Sequence, residues 1–336
     1  MSERVGVVGA GSWGTALANL LAKKGHAVTV WSFEPDVAAA INREHRNSRY
    51  LSEIALDPLL RATSTLEEAV TDAAYVVSVN PAQHTRAIMS QAAAYMRADV
   101  LVIGASKGIE TRTLETMAQV HAETLPRAAA ARACFLSGPS FALEVAREQP
   151  TAVTIASHDV AAAGQAQQLF QTPYFRSYTS TDVVGVELGG ALKNVMAIAA
   201  GMAVGLGLGH NATAALITRG LAEMARLGVQ LGANPLTLSG LAGMGDLILT
   251  CTGSLSRNRH VGVELGRGRT LSDVLAEMTM IAEGVETTRA ARALAQRAGI
   301  EMPIVAAVHA VLFEDLAAKA ALENLMMREP KAEFWR

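Results

Sequence analysis

Val5-Gly6-Val7-Val8-Gly9-Ala10-Gly11-Ser12-Trp13-Gly14 is a β-branched run that passes, through a GxGxxG spacing, into the helix-forming stretch Thr15–Lys24. The setting matters more than the glycines alone. Between strand and helix, Gly9 permits the tight turn, Gly11 lets backbone amides approach a pyrophosphate, and Gly14 lets helix pack on strand. The helix then starts with unpaired N–H donors and a positive dipole end, which suit an anion. A plain glycine turn is the ordinary alternative, and the loop's place near the N-terminus, between strand and helix, favours dinucleotide binding. Gly25 closes the helix as its C-terminal cap.

Outward from this loop, short β-branched runs alternate with helical stretches to about residue 180, the pattern of βαβ units and a parallel sheet. The spacing predicts strands at Val5–Val8, Ala27–Trp31, Ala74–Val79, Val100–Ala105, Ala133–Leu136 and Ala152–Ala156, with further helices at Gln83–Met96 and Thr113–Thr124. From about residue 183 helical spacing takes over. Ile217, Leu221, Met224, Leu227 and Leu231 share one face, with Arg219, Glu223, Arg226 and Gln230 elsewhere around the helix. Thr270 and Asp273 have capping-box spacing, and Pro303 can start a helix through Leu312. The expected architecture is α/β plus all-α: a Rossmann-type parallel-sheet domain over residues 1–182, then an all-helical substrate domain over 183–336. At 336 residues, two domains also match about 150 residues each. A cleft between them is the default ligand site.

Composition removes several function classes. A net charge of -2 with five Tyr and seven Phe offers neither a field for a nucleic-acid backbone nor a stacking platform. Cys134 and Cys251 form no CxxC pair, and the dispersed histidines form no HxxxH pair, so neither a disulfide framework nor a metal site is indicated. The opening residues lack the apolar core of a signal peptide. The longest apolar stretch, Val195 to Gly209, falls short of the roughly 20 residues a membrane span needs and reads as a buried helix. These features point to a cytoplasmic chain without a membrane span. They leave the oligomeric state open, a homodimer being allowed.

An acid about 20 residues past the loop would take a ribose 2′-hydroxyl, whereas a nearby arginine would favour a 2′-phosphate. Here the second strand ends Trp31-Ser32-Phe33-Glu34. The acid comes late and Arg43 and Arg46 lie some way off, so NAD and NADP both stay open.

Four further segments place polar residues where a plain core would not: Ala105-Ser106-Lys107-Gly108, Ser137-Gly138-Pro139-Ser140, Leu192-Lys193-Asn194, and Gly243-Met244-Gly245-Asp246 onward to Ser256-Arg257-Asn258-Arg259. Lys107 follows a strand at the carboxyl edge where open α/β sheets bind ligands. Lys193 lies inside an apolar helical run that would normally expel a long cation. Taken singly, Lys107 could be a solvated turn residue, Lys193 could snorkel to water, and Asp246 or Asn258 could cap a helix.

Together with GAGSWGTALA, LSGPSFA, ALITRGLAEM and EGVETT, these segments resemble the bacterial NAD(P)-dependent glycerol-3-phosphate dehydrogenases from residue 5 to about 313. The resemblance implies that Lys193 is the proton acceptor in glycerol-phosphate oxidation, that Lys107 lies beside the substrate, and that Asp246 completes the polar group. It implies that Ser256, Arg257 and Asn258 hold the substrate phosphate, with Gly138 and Ser140 near the substrate. Ser12, Trp13, Ala142, Ile281 and Glu283 match cofactor contacts beside Gly9, Gly11 and Gly14, and Lys107 and Arg257 border both ligands. Phe33 departs from the pattern, because many relatives carry Arg or His there for an adenosine 2′-phosphate. The product of such enzymes feeds phospholipid synthesis.

The residue types suit that chemistry. Hydride reduction of a ketone builds negative charge on oxygen, which an ammonium stabilises and protonates. A phosphate needs the planar fork of an arginine. Two rivals are a β-hydroxyacid dehydrogenase, which shares the architecture and a helix-borne lysine, and a dinucleotide sensor without turnover. The SRNR segment favours a phosphate substrate over the first, and the substrate lysines, which a sensor does not need, speak against the second.

Overall fold

Val5, Val7 and Val8 are all fully buried, so the first strand is covered on both faces, as strands of parallel sheets are. The computed structural model describes residues 2–330, 332 and 333. Its strands are β1 (Arg4–Val8), β2 (Ala27–Trp31), β3 (Arg61–Thr63), β4 (Tyr75–Ser78), β5 (Leu101–Gly104), β6 (Cys134–Ser137), β7 (Thr151–Ala156) and β8 (Phe175–Ser180). They form one sheet in the order β3-β2-β1-β4-β5-β6-β7-β8. The first six are parallel and have the Rossmann order, with the order reversing at β1. β7 pairs antiparallel with β6, and β8 runs parallel to β7.

Two strands lie outside the sequence expectation. β3 is only three residues long, and β8 is an edge strand whose Arg176 and Tyr178 face solvent while Phe175 and Ser177 are buried. Helices at Pro35–Glu44 and Val160–Phe170 were also not expected. The helix expected from Thr113 begins at Met117, because Leu114 takes a left-handed φ of 62° and Ile109 bridges to Thr116. The opening helix, Ser12–Lys23, ends with Gly25 at φ 93° and bonds from Gly25 N to Ala22 O and His26 N to Leu21 O. That is the glycine C-cap expected there.

After β8 every described element is helical. Val183–Gly205 is the central helix, longer than the apolar stretch implied and ending before Gly207. Its length and hydropathy would allow a membrane crossing, but it is buried within the protein. Against it lies Arg257–Gly266, at backbone contact. A Cβ added at Gly201 would sit 2.1 Å from Arg259 O, and one at Gly262 would sit 2.0 Å from Ile198 O. Gly205 and Gly266 repeat the approach one turn on. On the His210–Gln230 helix, Glu223 is buried rather than outward, accepting the N–H groups of Ile304 and Val305 at 2.8 and 3.4 Å. It caps the helix Pro303–Phe313, which opens with Pro303 as expected.

The helical half also caps helices of the nucleotide half. Glu187 accepts Ala118 N–H at 2.7 Å, and Glu283 accepts Ala82 N–H at 3.2 Å. These bonds satisfy N-terminal donors that would otherwise be orphaned.

Candidate active site

The long side of the site is the Val183–Gly205 helix, and its one lysine points inward because the whole helix is enclosed. Lys193 Nζ donates to Asp246 Oδ1 at 2.5 Å and to Thr250 Oγ1 at 2.8 Å. Lys107, delivered by the loop after β5, donates to Asp246 Oδ2 at 2.7 Å and to the Gly138 carbonyl at 3.0 Å. Asp246 is 1% exposed, so a single carboxylate bridges two ammonium groups away from water. Burial pushes the Asp246 carboxyl up, but the two ammonium groups together hold it below its ordinary value. Burial drives the Lys193 ammonium down to about 8; Asp246 opposes that shift and the charge of Lys107 adds to it. An amine tuned near neutrality can both give and take a proton.

Asp246 and Thr250 stand one turn apart on the helix Asp246–Thr252, so they share a face. The preceding residues Leu241–Gly245 form a π-turn that brings Asp246 to the central helix. Gly190, on that helix, leaves room for Ser137 and for the stem of Lys107. Ser137 Oγ is buried with no partner among the described residues.

The Ser256-Arg257-Asn258 segment lies next to the lysine cluster. Asn258 donates to Asn194 Oδ1 at 2.9 Å and accepts Gly284 N–H at 2.8 Å, which ties the start of the Arg257–Gly266 helix to the residue after Lys193. Ser256 is the N-cap of that helix, accepting Arg259 N–H at 3.2 Å. Arg257 is open to solvent and feels the carboxylate of Glu283. Glu283 in turn lies beside Gly108, and burial raises its carboxyl to about 7. Ser140 donates to the Gly138 carbonyl at 2.9 Å.

The glycine loop fits a dinucleotide. A Cβ on Gly9 would sit 2.6 Å from Val79 O and one on Gly14 1.8 Å from Gly9 O, whereas one on Gly11 would meet nothing within 4 Å. Gly11 therefore opens onto free space at a helix start with no side-chain cap and no acid in its first turn. The indole N–H of Trp13 is buried without a partner among the described residues. Ser12 donates to Met280 Sδ at 3.0 Å, so the segment before exposed Ile281 reaches across to the loop. Ala142 starts a short helix packed on the sheet core. Phe33 stands apart, 79% exposed beyond the end of β2, with its ring edge-on to Trp31.

The structure thus joins Lys107, Lys193, Asp246 and Gly138 directly, Asn258 through Asn194, and Glu283 through its place beside Gly108. Thr250 was not singled out from the sequence, and Asn194 and Ser137 entered only as members of flagged polar segments, with no role assigned. Only the spacing of Thr250, four residues after Asp246, signalled a shared helix face.

A doubly wound dinucleotide domain whose carboxyl edge brings Lys107 to a carboxylate shared with the buried Lys193 of a helical partner defines a dinucleotide-dependent dehydrogenase. The family model for the N-terminus of NAD-dependent glycerol-3-phosphate dehydrogenase matches residues 4–163, and that for the C-terminus matches residues 182–323. The chain belongs to the NAD-dependent glycerol-3-phosphate dehydrogenase family. It is 57% identical, over the full length of both chains, to the glycerol-3-phosphate dehydrogenase [NAD(P)+] of Geobacter sulfurreducens. The enzyme of the same name from Myxococcus xanthus is 54% identical over 98% of this chain and 99% of its own. The crystal structure of glycerol-3-phosphate dehydrogenase from Coxiella burnetii superposes with a TM-score of 0.93 at 38% identity, covering 97% of this chain and 99% of that one.

Proposed function

We propose that the chain reduces dihydroxyacetone phosphate to sn-glycerol 3-phosphate, reversibly, with NADH or NADPH, and that its residues divide the work as follows. The bound nicotinamide supplies the hydride. Lys107 and Lys193 face the carbonyl oxygen, stabilise the charge that develops on it, and Lys193 delivers the proton. Asp246 holds both cations in place, and Thr250 fixes the direction of Lys193. Arg257, Ser256 and Asn258 hold the phosphate at the N-terminus of their helix, where charge and dipole favour a dianion. Gly138 and Ser140 shape the substrate side. Gly9, Gly11, Ser12, Trp13, Gly14, Phe33, Ala142, Ile281 and Glu283 surround the dinucleotide.

The observation that carries this reading is the buried Asp246 carboxylate bridged by two lysines, one from each half of the chain. The start of the central helix at Val183 supports a working boundary between residues 182 and 183. The names of the relatives support the dehydrogenase activity; a cytoplasmic location and a supply of glycerol 3-phosphate for phospholipid synthesis are part of the same proposal. A spectrophotometric assay with dihydroxyacetone phosphate, run with NADH and NADPH in parallel, tests the reading. Turnover on a 3-hydroxy acid but not on this pair would overturn it.

A further inference from the structure

Glu34 comes late after β2, yet its carboxylate is folded back to the strand end. Ser32, fully buried just past Trp31, has its hydroxyl 3.4 Å from Glu34 Oε2, and Tyr50 donates its phenolic proton to Oε1 at 2.6 Å. Tyr50 is itself anchored to the glycine loop. Its N–H bonds Asn47 Oδ1 at 3.1 Å, and Asn47 Nδ2 donates to the Ala10 carbonyl at 2.8 Å. The carboxyl end of β2 lies beside that of β1, with Gly9 N bonded to Trp31 O at 3.1 Å. Glu34 is therefore a fixed acid next to the loop that cradles the pyrophosphate, where dinucleotide folds read the adenosine ribose.

The surrounding charge does not favour a 2′-phosphate. Arg49 Nη1 lies 3.9 Å from Glu34 Oε1, a solvent-exposed approach of small net worth, and Asp36 adds a second acid. Arg43 is paired with Glu44, and Arg46 bonds Ser52 O. Phe33 itself lines a cavity of about 660 Å³ with Trp31, Thr65, Glu67 and Tyr95 among others, and no lysine or arginine is among its described lining residues.

We infer that Glu34, oriented by Tyr50, accepts the ribose hydroxyls and makes this enzyme selective for NAD(H) over NADP(H). The inference deepens the dehydrogenase reading and rests on it. A carboxylate bonded to a 2′-hydroxyl discriminates doubly, because the phosphorylated cofactor loses the bond and meets a like charge.

The test is binding and kinetics of NADH and NADPH with the intact enzyme and its Glu34→Gln and Glu34→Asp variants. Fluorescence titration needs no turnover, so it reads Glu34 even where dihydroxyacetone phosphate proves to be the wrong substrate. The wild type should favour NADH by about tenfold or more in Kd and in kcat/KM, the scale of one charge-assisted bond. Glu34→Gln should remove most of that preference, chiefly through NADPH affinity, and Glu34→Asp should keep part of it. Added salt should improve NADPH binding to the wild type more than to Glu34→Gln, since only the wild type repels the phosphate. A wild type that prefers NADPH, or an unchanged ratio in Glu34→Gln, overturns the inference.

Discussion

The Thr250 hydroxyl accepts from Lys193 Nζ at 2.8 Å while giving its own proton to the Asp246 backbone carbonyl at 2.6 Å. Because that proton is committed, Thr250 meets the ammonium only as an acceptor. Asp246 Oδ1 takes a second N–H, which leaves one for a substrate oxygen.

On that geometry Lys193 is the proposed proton donor, and its protonation should then set the rate. With its pKa lowered to about 8 by burial, ketone reduction should hold steady below that pH and fall above it as the ammonium is lost. Oxidation of glycerol 3-phosphate needs the neutral amine and should rise through the same range. Lys193→Ala should lower kcat by about 10²–10⁴ with a smaller effect on KM. Near-normal kcat in that variant would remove Lys193 from the chemistry.

Thr250→Val keeps the shape of the side chain and deletes the acceptor, so the ammonium loses support. The alkaline limb of the reduction profile should move to lower pH, and Thr250→Ser should restore it. A Val variant with lower activity but an unmoved limb would show a packing role only.

Arg257→Ala should mainly raise KM for dihydroxyacetone phosphate and leave reduction of unphosphorylated dihydroxyacetone nearly unaffected. Phosphite dianion in solution should partly rescue dihydroxyacetone reduction in the wild type and fail to do so in the variant. Remote binding energy lowers the barrier only where its receptor is present. Equal rescue in both proteins would exclude Arg257 as the anchor.

Gly11→Val should abolish dinucleotide binding in a protein that still folds. Its Cβ would enter open space rather than protein, so the clash falls on the ligand alone. Fluorescence titration with NADH and a circular dichroism melt separate the two effects, and unchanged affinity in a folded variant would move the pyrophosphate elsewhere.

Phe33→Arg adds a cation at an exposed position beyond β2. A charge-assisted bond contributes about 1.5–3 kcal/mol, so the NADPH-to-NADH ratio of kcat/KM should rise about tenfold or more. An unmoved ratio would place the 2′ position out of reach of residue 33.

Much of this was legible because burial and charge conflict visibly in a sequence. Lys193 within an apolar helix and Asp246 after a glycine run are such conflicts, and the structure joins them. Thr250 was silent, since a threonine among apolar neighbours reads as ordinary core. Asn47 and Tyr50 lie in an irregular segment whose ties to Ala10 and Glu34 span 37 and 16 residues, beyond any local pattern. β8 escaped because edge strands alternate polar with apolar residues, and Phe-Arg-Ser-Tyr-Thr-Ser gives only two buried positions of clear sign. Glu223 was read as lying off the apolar face by spacing, whereas the buried start of the Pro303–Phe313 helix, about 80 residues on in the chain, drew it in to serve Ile304 and Val305.

The backbone contact between the Val183–Gly205 and Arg257–Gly266 helices closes a common road to a hardier enzyme. Replacing helical glycine by alanine usually raises stability by up to about 1 kcal/mol. Here a methyl group at Gly201 or Gly262 would meet a main-chain carbonyl near 2 Å, and the helices would have to part. Lys193 rides on one of them and the segment proposed to hold the phosphate starts the other, so any widening would stretch the distance that the substrate is expected to span. Engineers seeking heat tolerance, or a longer substrate, would be altering the same gap.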